Sequence, residues 1–156
     1  MKKNNVFFLS IVMFILILFS IKGEAAIVSN STELADAIVQ ANNGGDKTIK
    51  LQDGIYTLDD MLWVEADGVT VYGLSGNRDS VIIRGTGMDG PVSHIFNVAG
   101  SRFTAYDMTL RDVANHAVQL QIDVDSTIIR NLHILDTGEQ MIKVAYNPDN
   151  PWLKLR

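Results

Sequence analysis

His94-Ile95-Phe96-Asn97-Val98, His116-Ala117-Val118-Gln119-Leu120 and Gln140-Met141-Ile142-Lys143-Val144 are three versions of one phrase. Superposed, they place Phe96, Val118 and Ile142 in one column and Val98, Leu120 and Val144 in a second, with polar Asn97, Gln119 and Lys143 between them. Alternation of that kind describes a strand with one face turned inward. The phrase recurs after 22 residues and then after 24, from Phe96 to Val118 to Ile142. A second phrase keeps the same step: Asp107-Met108-Thr109-Leu110-Arg111-Asp112 lies over Asn131-Leu132-His133-Ile134-Leu135-Asp136 at an offset of 24. A period of roughly 20 to 30 residues built from short strands marks a stacked repeat. No helical pattern separates these strands, so the expected fold is all-β, a parallel β-helix solenoid.

Working outward, Leu62 and Val64 precede Phe96 and Val98 by 34 residues, as Val69 and Val71 precede Phe103 and Ala105. Turn-rich inserts at Ser75 to Ser80 and Thr86 to Ser93 absorb the surplus, and Val81 to Gly85 resumes as a third strand. Insertions at a corner leave the stacked strands undisturbed. Each coil is expected to hold three short strands, for example His94 to Val98, Phe103 to Ala105 and Met108 to Leu110. The corner between the second and third strands carries Asp107 and then Asn131, types that tolerate unusual backbone angles. Before the first strand, Asn30 to Gln40 reads as an amphipathic helix, with Asn30 as cap, Glu33 closing a capping box, and Leu34, Ile38 and Val39 on one face. It ends at Asn42-Asn43-Gly44-Gly45, and its expected task is to cover the open end of the solenoid.

Lys2 and Lys3, the apolar run Val6 to Ile21 and then Gly23-Glu24-Ala25 follow the order of an export signal. The expected organisation is a signal peptide at 1–25, a cap at 26–46 with its helix at 30–40, coils at 47–145 and an irregular tail at 146–156. Removing Lys2, Lys3, Lys22 and Glu24 from 13 basic and 18 acidic residues leaves ten against seventeen, a net charge of −7. An acidic surface argues against nucleic acid and anionic lipid as main partners. Without cysteine there is no disulfide framework or thiolate metal site. The expectation is a secreted or periplasmic monomer with no stable membrane insertion once the signal is cleaved.

Gly45-Asp46-Lys47-Thr48-Ile49-Lys50-Leu51-Gln52-Asp53-Gly54-Ile55-Tyr56 after a helix resembles the start of pectin-lyase-like right-handed parallel β-helix proteins. Asn115 to Gln119 and Ile134 to Met141 look like the bacterial parallel β-helix repeat proteins of that superfamily; chondroitinase-B and alginate-lyase type enzymes are more distant. The resemblance spans about residues 30 to 145 and implies a right-handed solenoid of about three to four coils. It also implies polysaccharide as partner, and calcium in full-length members; no cofactor signature is evident in this chain. After Val144 the periodicity stops, and Pro148 and Pro151 reject a strand ladder. That reads as the N-terminal fragment of a longer protein; the competing reading has Trp152 and Leu153 folding back as a cap.

In that superfamily the sugar crosses the first-strand sheet, so the resemblance singles out Trp63, Asn97, Gln119 and Lys143, with Glu65 and Gln121 beside them. An aromatic face, amides and a cation suit a uronate-containing glycan; amide columns that merely satisfy one another are the structural reading. A second column, Asp60, His94, His116 and Gln140, sits at the strand entry, where two imidazoles can ligate a metal or simply stack. Asp112 and Asp136 are candidate cation ligands, although Arg111 and Arg130 can neutralise them instead. The expected function is binding or lyase-type cleavage of acidic polysaccharide in the full-length protein, with this fragment inactive. The alternatives are a non-catalytic glycan-binding or scaffold module, or a remnant of either.

Overall fold

The computed structural model describes residues 25–145. The expected signal peptide (apart from Ala25) and the expected tail at 146–156 lie outside them. Strands β1 (Ala26–Val28), β2 (Thr48–Leu51), β3 (Gly54–Thr57), β5 (Thr70–Gly73), β6 (Val81–Arg84), β8 (Thr104–Val113) and β10 (Ile128–Thr137) make a seven-stranded sheet. Strands β4 (Leu62–Val64), β7 (His94–Val98), β9 (His116–Leu120) and β11 (Ile142–Val144) make a four-stranded sheet in the order β11-β9-β7-β4. Every strand pairing is parallel.

The pairings put like residue over like. In the smaller sheet Leu62 pairs with Phe96, Phe96 with Val118 and Val118 with Ile142. In the larger sheet Ile49, Val71, Ala105 and Ile129 form one column, and Ile83, Leu110 and Ile134 another. These inward columns fill the space between the sheets; Ile49, Val71, Ile83, Phe96, Phe103, Leu110 and Val118 are wholly buried. Each such side chain contributes about 1.5 to 3 kcal/mol on full burial.

Helix α1 (Ser31–Asn42), the single helix among the described residues, forms where Asn30 caps it, Oδ1 accepting from the Glu33 amide at 2.9 Å. The Glu33 carboxylate reaches back one residue further than expected, accepting from the Ser29 amide at 2.8 Å and its hydroxyl at 3.0 Å. The Ser29 amide is the first cause that holds the Glu33 carboxyl below its ordinary range. Leu34, Ala37, Ile38 and Ala41 face the core. Val39, expected beside them, is exposed, because it lies one 100° step round the helix from Ile38. The Asn42 side chain closes the edge of β4: Nδ2 donates to the Trp63 carbonyl (2.8 Å), and Oδ1 accepts from the amides of Glu65 (2.9 Å) and Ala66 (3.1 Å).

These observations correct the all-β, right-handed parallel β-helix expectation. The described residues form two parallel sheets and a helix that supplies part of the core, an arrangement of the α/β type. The expected second and third strands stay separate as β5 and β6, but not in the two later coils. Asp107 and Asn131 take left-handed φ values of 59° and 46°, yet pairing resumes directly on either side of them, so each pair of short strands joins into one ten-residue strand, β8 or β10. Three expected faces become two sheets. Among the described residues no helix is long and apolar enough to cross a membrane.

Candidate functional site

The register aligns Trp63, Asn97, Gln119 and Lys143 in one outward row across β4, β7, β9 and β11. Only its ends are open. Trp63 is 37% exposed between buried Leu62 and Val64, and Lys143 is exposed on β11, but Asn97 and Gln119 are 5% and 7% exposed. Asn97 donates to the Met61 sulfur (3.5 Å) and accepts from Gln121 Nε2 (2.6 Å). The Gln119 amide donates to the Leu120 carbonyl at 3.1 Å. The two amides, and Gln121 with them, therefore satisfy the chain's own polar groups.

Trp63 and Glu65 line a groove of about 340 Å³ between α1 and β4, whose helical wall is Ala35, Ile38, Val39, Asn42 and Asn43 and whose floor includes Met61. Its size falls in the range of small-ligand pockets, about 300 to 1,000 Å³. The helical wall was not foreseen, because the sequence shows which face of a helix is apolar but not where its rim meets a strand.

His94 and His116 stack, ring centroids 5.1 Å apart at 11°. His116 is buried; its Nδ1 lies 3.2 Å from the Gln140 carbonyl and its Nε2 3.5 Å from Glu139 Oε2. Glu139 also accepts from Asn115 Nδ2 at 2.9 Å. Burial pushes the His94 imidazole below its ordinary value, and the nearby His116 and Lys143 add to the effect. The Gln140 side chain is not what meets His116, and Asp60, exposed, accepts from the Met61 amide at 2.7 Å. The column ties the start of β9 to the turn before β11.

Asp112 and Asp136 do stack, at corners where both take left-handed φ values of 58° and 50°. The space between them is filled by Arg111, with Nε 2.9 Å from Asp112 Oδ2 and Nη2 2.6 Å from Asp136 Oδ2. A guanidinium already stands where calcium would have to sit, so this pair does not fit a cation. Among the described residues no group of three or more His, Asp or Glu gathers to hold a metal ion.

One column was missed. Lys50 pairs with Tyr72, Tyr72 with Tyr106 and Tyr106 with Arg130, on the outward face of the seven-stranded sheet. The tyrosine rings stack at 4.8 Å and 7°, and the Arg130 guanidinium carbon lies 4.0 Å over the Tyr106 ring. The signal was present: Tyr72 to Tyr106 is 34 residues and Tyr106 to Arg130 is 24, the steps of the core columns.

No family model matches the chain, and neither a curated protein nor a solved structure matches it.

Proposed function

We propose that the chain is an exported, non-catalytic module that binds acidic polysaccharide through the outward face of β4, β7, β9 and β11. The observation that carries this reading is Trp63, an indole held outside the core at the mouth of a groove. A sugar ring offers such a face apolar C–H groups, while Glu65 accepts from its hydroxyls. Lys143 lies three strands away in the same register, roughly 14 Å by strand spacing, and takes a carboxylate further along the polymer. The likeness of Gly45 to Tyr56 to pectin-lyase-like enzymes supports the same ligand class.

Binding is favoured over cleavage by the state of the cations. Eliminating a uronate requires a base at the C5 proton and a cation on the carboxylate. Arg111 stands on β8 of the other sheet and is committed to Asp112 and Asp136. Among the described residues in the outward row of this face, Lys143 is the one cation.

Calorimetric titration with alginate, pectate and chondroitin oligosaccharides tests the proposal. Trp63→Ala is expected to weaken binding at least tenfold, and Lys143→Ala to weaken it more at low salt than at high salt. Ultraviolet absorbance should detect no unsaturated uronate product. Unchanged affinity in both variants would remove this face from consideration.

A further inference from the structure

We infer that the outward face of the seven-stranded sheet is a second anion-recognising site, built from Lys50, Tyr72, Tyr106 and Arg130, and that its ligand is a linear uronate polymer. The four side chains stand in register on β2, β5, β8 and β10. A cation occupies each end and two stacked phenols lie between. Among the described residues neither Lys50 nor Arg130 has an acidic partner, and neither phenol hydroxyl makes a hydrogen bond. Arg111, Arg102 and Arg78 each meet an aspartate; among the described residues Lys50 and Arg130, like Lys47, Arg84 and Lys143, do not. What sets these two apart is that the register places them at the ends of one column of stacked phenols.

The geometry selects the ligand. The ring faces are taken up by one another and by Arg130, so Tyr72 and Tyr106 offer outward their edges and hydroxyls, which donate to and accept from sugar hydroxyls. Flat insertion of a nucleobase between the rings is closed at a centroid separation of 4.8 Å. Lys50 and Arg130 stand roughly 14 Å apart by strand spacing. A uronate polymer carries a carboxylate on every acidic ring and can present two at that separation. Next to this column Thr48, Thr70 and Thr104 pair in a parallel row, adding hydroxyls along the same line. Nearby carboxylates do not block it: Asp107 is engaged by Asn131 Nδ2 at 2.7 Å, and Asp46 accepts from the Thr48 amide at 2.9 Å. Nucleic acid, which binds through many phosphate contacts, is disfavoured by two cations on an acidic protein.

The inference adopts the ligand class proposed above but not its site, and one titration series separates the two. Oligogalacturonate is titrated into the full-length chain, into Lys50→Gln/Arg130→Gln, into Tyr72→Phe/Tyr106→Phe, and into Trp63→Ala/Lys143→Ala. Circular dichroism checks that each remains folded. The first double variant is expected to lose one of the two binding events, and, when combined with Trp63→Ala/Lys143→Ala, to lose at least tenfold in affinity and most of the remaining salt dependence. The phenylalanine pair, which keeps the ring stack, is expected to lose a smaller factor. With Trp63 and Lys143 removed, binding at this face should persist. No loss of affinity when Lys50→Gln/Arg130→Gln is added to Trp63→Ala/Lys143→Ala overturns the inference, as does equal binding of the carboxyl-reduced, neutral oligosaccharide by the Trp63→Ala/Lys143→Ala variant. Tighter binding of single-stranded DNA overturns it in favour of nucleic acid. Failure of the Trp63 variant alone to weaken binding would instead remove the groove and leave this site standing.

Discussion

Tyr56 carries its hydroxyl into the interior, where it lies 2.9 Å from the Val28 carbonyl and 2.7 Å from the Gln52 carbonyl. A phenol can donate its one proton to either and so ties β1 to the turn before β3. Tyr56→Phe strips the donor; the Val28 carbonyl keeps the Gln52 amide at 2.9 Å, while the Gln52 carbonyl loses the phenol, and the expected cost is about 1 to 3 kcal/mol, measured by urea denaturation. Burial, with Glu33 and Asp53 adding to it, pushes the Tyr56 hydroxyl up to about 12. Because the folded value lies above the unfolded one, this stability is complete below about pH 10 and is lost as pH climbs toward the folded value. An alkaline absorbance titration should show one phenolate appearing only as the protein unfolds. His94 runs the other way. Its folded value is depressed below the ordinary 6.5, so the unfolded chain binds the proton more readily. Stability is full above that pH and falls as pH drops through it. A urea midpoint that declines on going from about pH 7.5 to pH 5.5, with a shallower decline in His94→Gln, is the expected result; equal slopes would mean that another group sets the dependence.

At the scale of elements, the helix is tied to the sheets by two asparagines with different tasks. Asn30 satisfies an amide within the helix, and Asn30→Ala should cost about 1 kcal/mol. Asn42 serves the strand edge, meeting three backbone groups of Trp63, Glu65 and Ala66. Asn42→Ala is expected to cost about 1 to 3 kcal/mol and also to weaken oligosaccharide binding at Trp63, since the groove loses its wall. A stability loss with unchanged affinity would place the ligand elsewhere. The same two residues show what the sequence discloses. Asn30 was legible because a cap is local chemistry within four residues; Asn42 was read only as a helix stop, because its partners lie 21 to 24 residues away. The columns through Phe96 and Val118 were legible because alternation and a constant step coincide. The burial of Asn97 and Gln119 was not: Asn97 bonds to Met61 and Gln121, which the alternation does not mark as its partners, and Gln119 turns back to the Leu120 carbonyl. Nor was the number of sheets, which turns on whether pairing continues past one left-handed residue at Asp107 or Asn131. The export signal and the break after Val144 belong to residues that the structure leaves undescribed.

Across the whole molecule the two ends are unequal, and the inequality sets where stability resides. At one end α1 lies over β1, β2 and β4, with Leu34, Ile38 and Ala41 buried beneath it. At the other, β10 and β11 have neighbours on one side only among the described residues. Their columns show the effect: Met108 and Leu110 are fully buried, while their partners Leu132 and Ile134 on β10 are half-buried and Ile142 on β11 is 40% exposed. A strand covered on one side gains less from each aliphatic and opens at lower free energy than the strands inside the stack. Leu51→Ala, next to the helix-covered end, should therefore cost about 2 to 5 kcal/mol, as truncations in a packed core do. Ile142→Ala, chemically the same kind of truncation, should cost less than about 1 kcal/mol. Urea denaturation of the two variants decides the matter, supported by hydrogen exchange that should be fastest in β10 and β11. Equal costs would show that the far end is covered in solution as thoroughly as the near one, and would direct attention to whatever covers it.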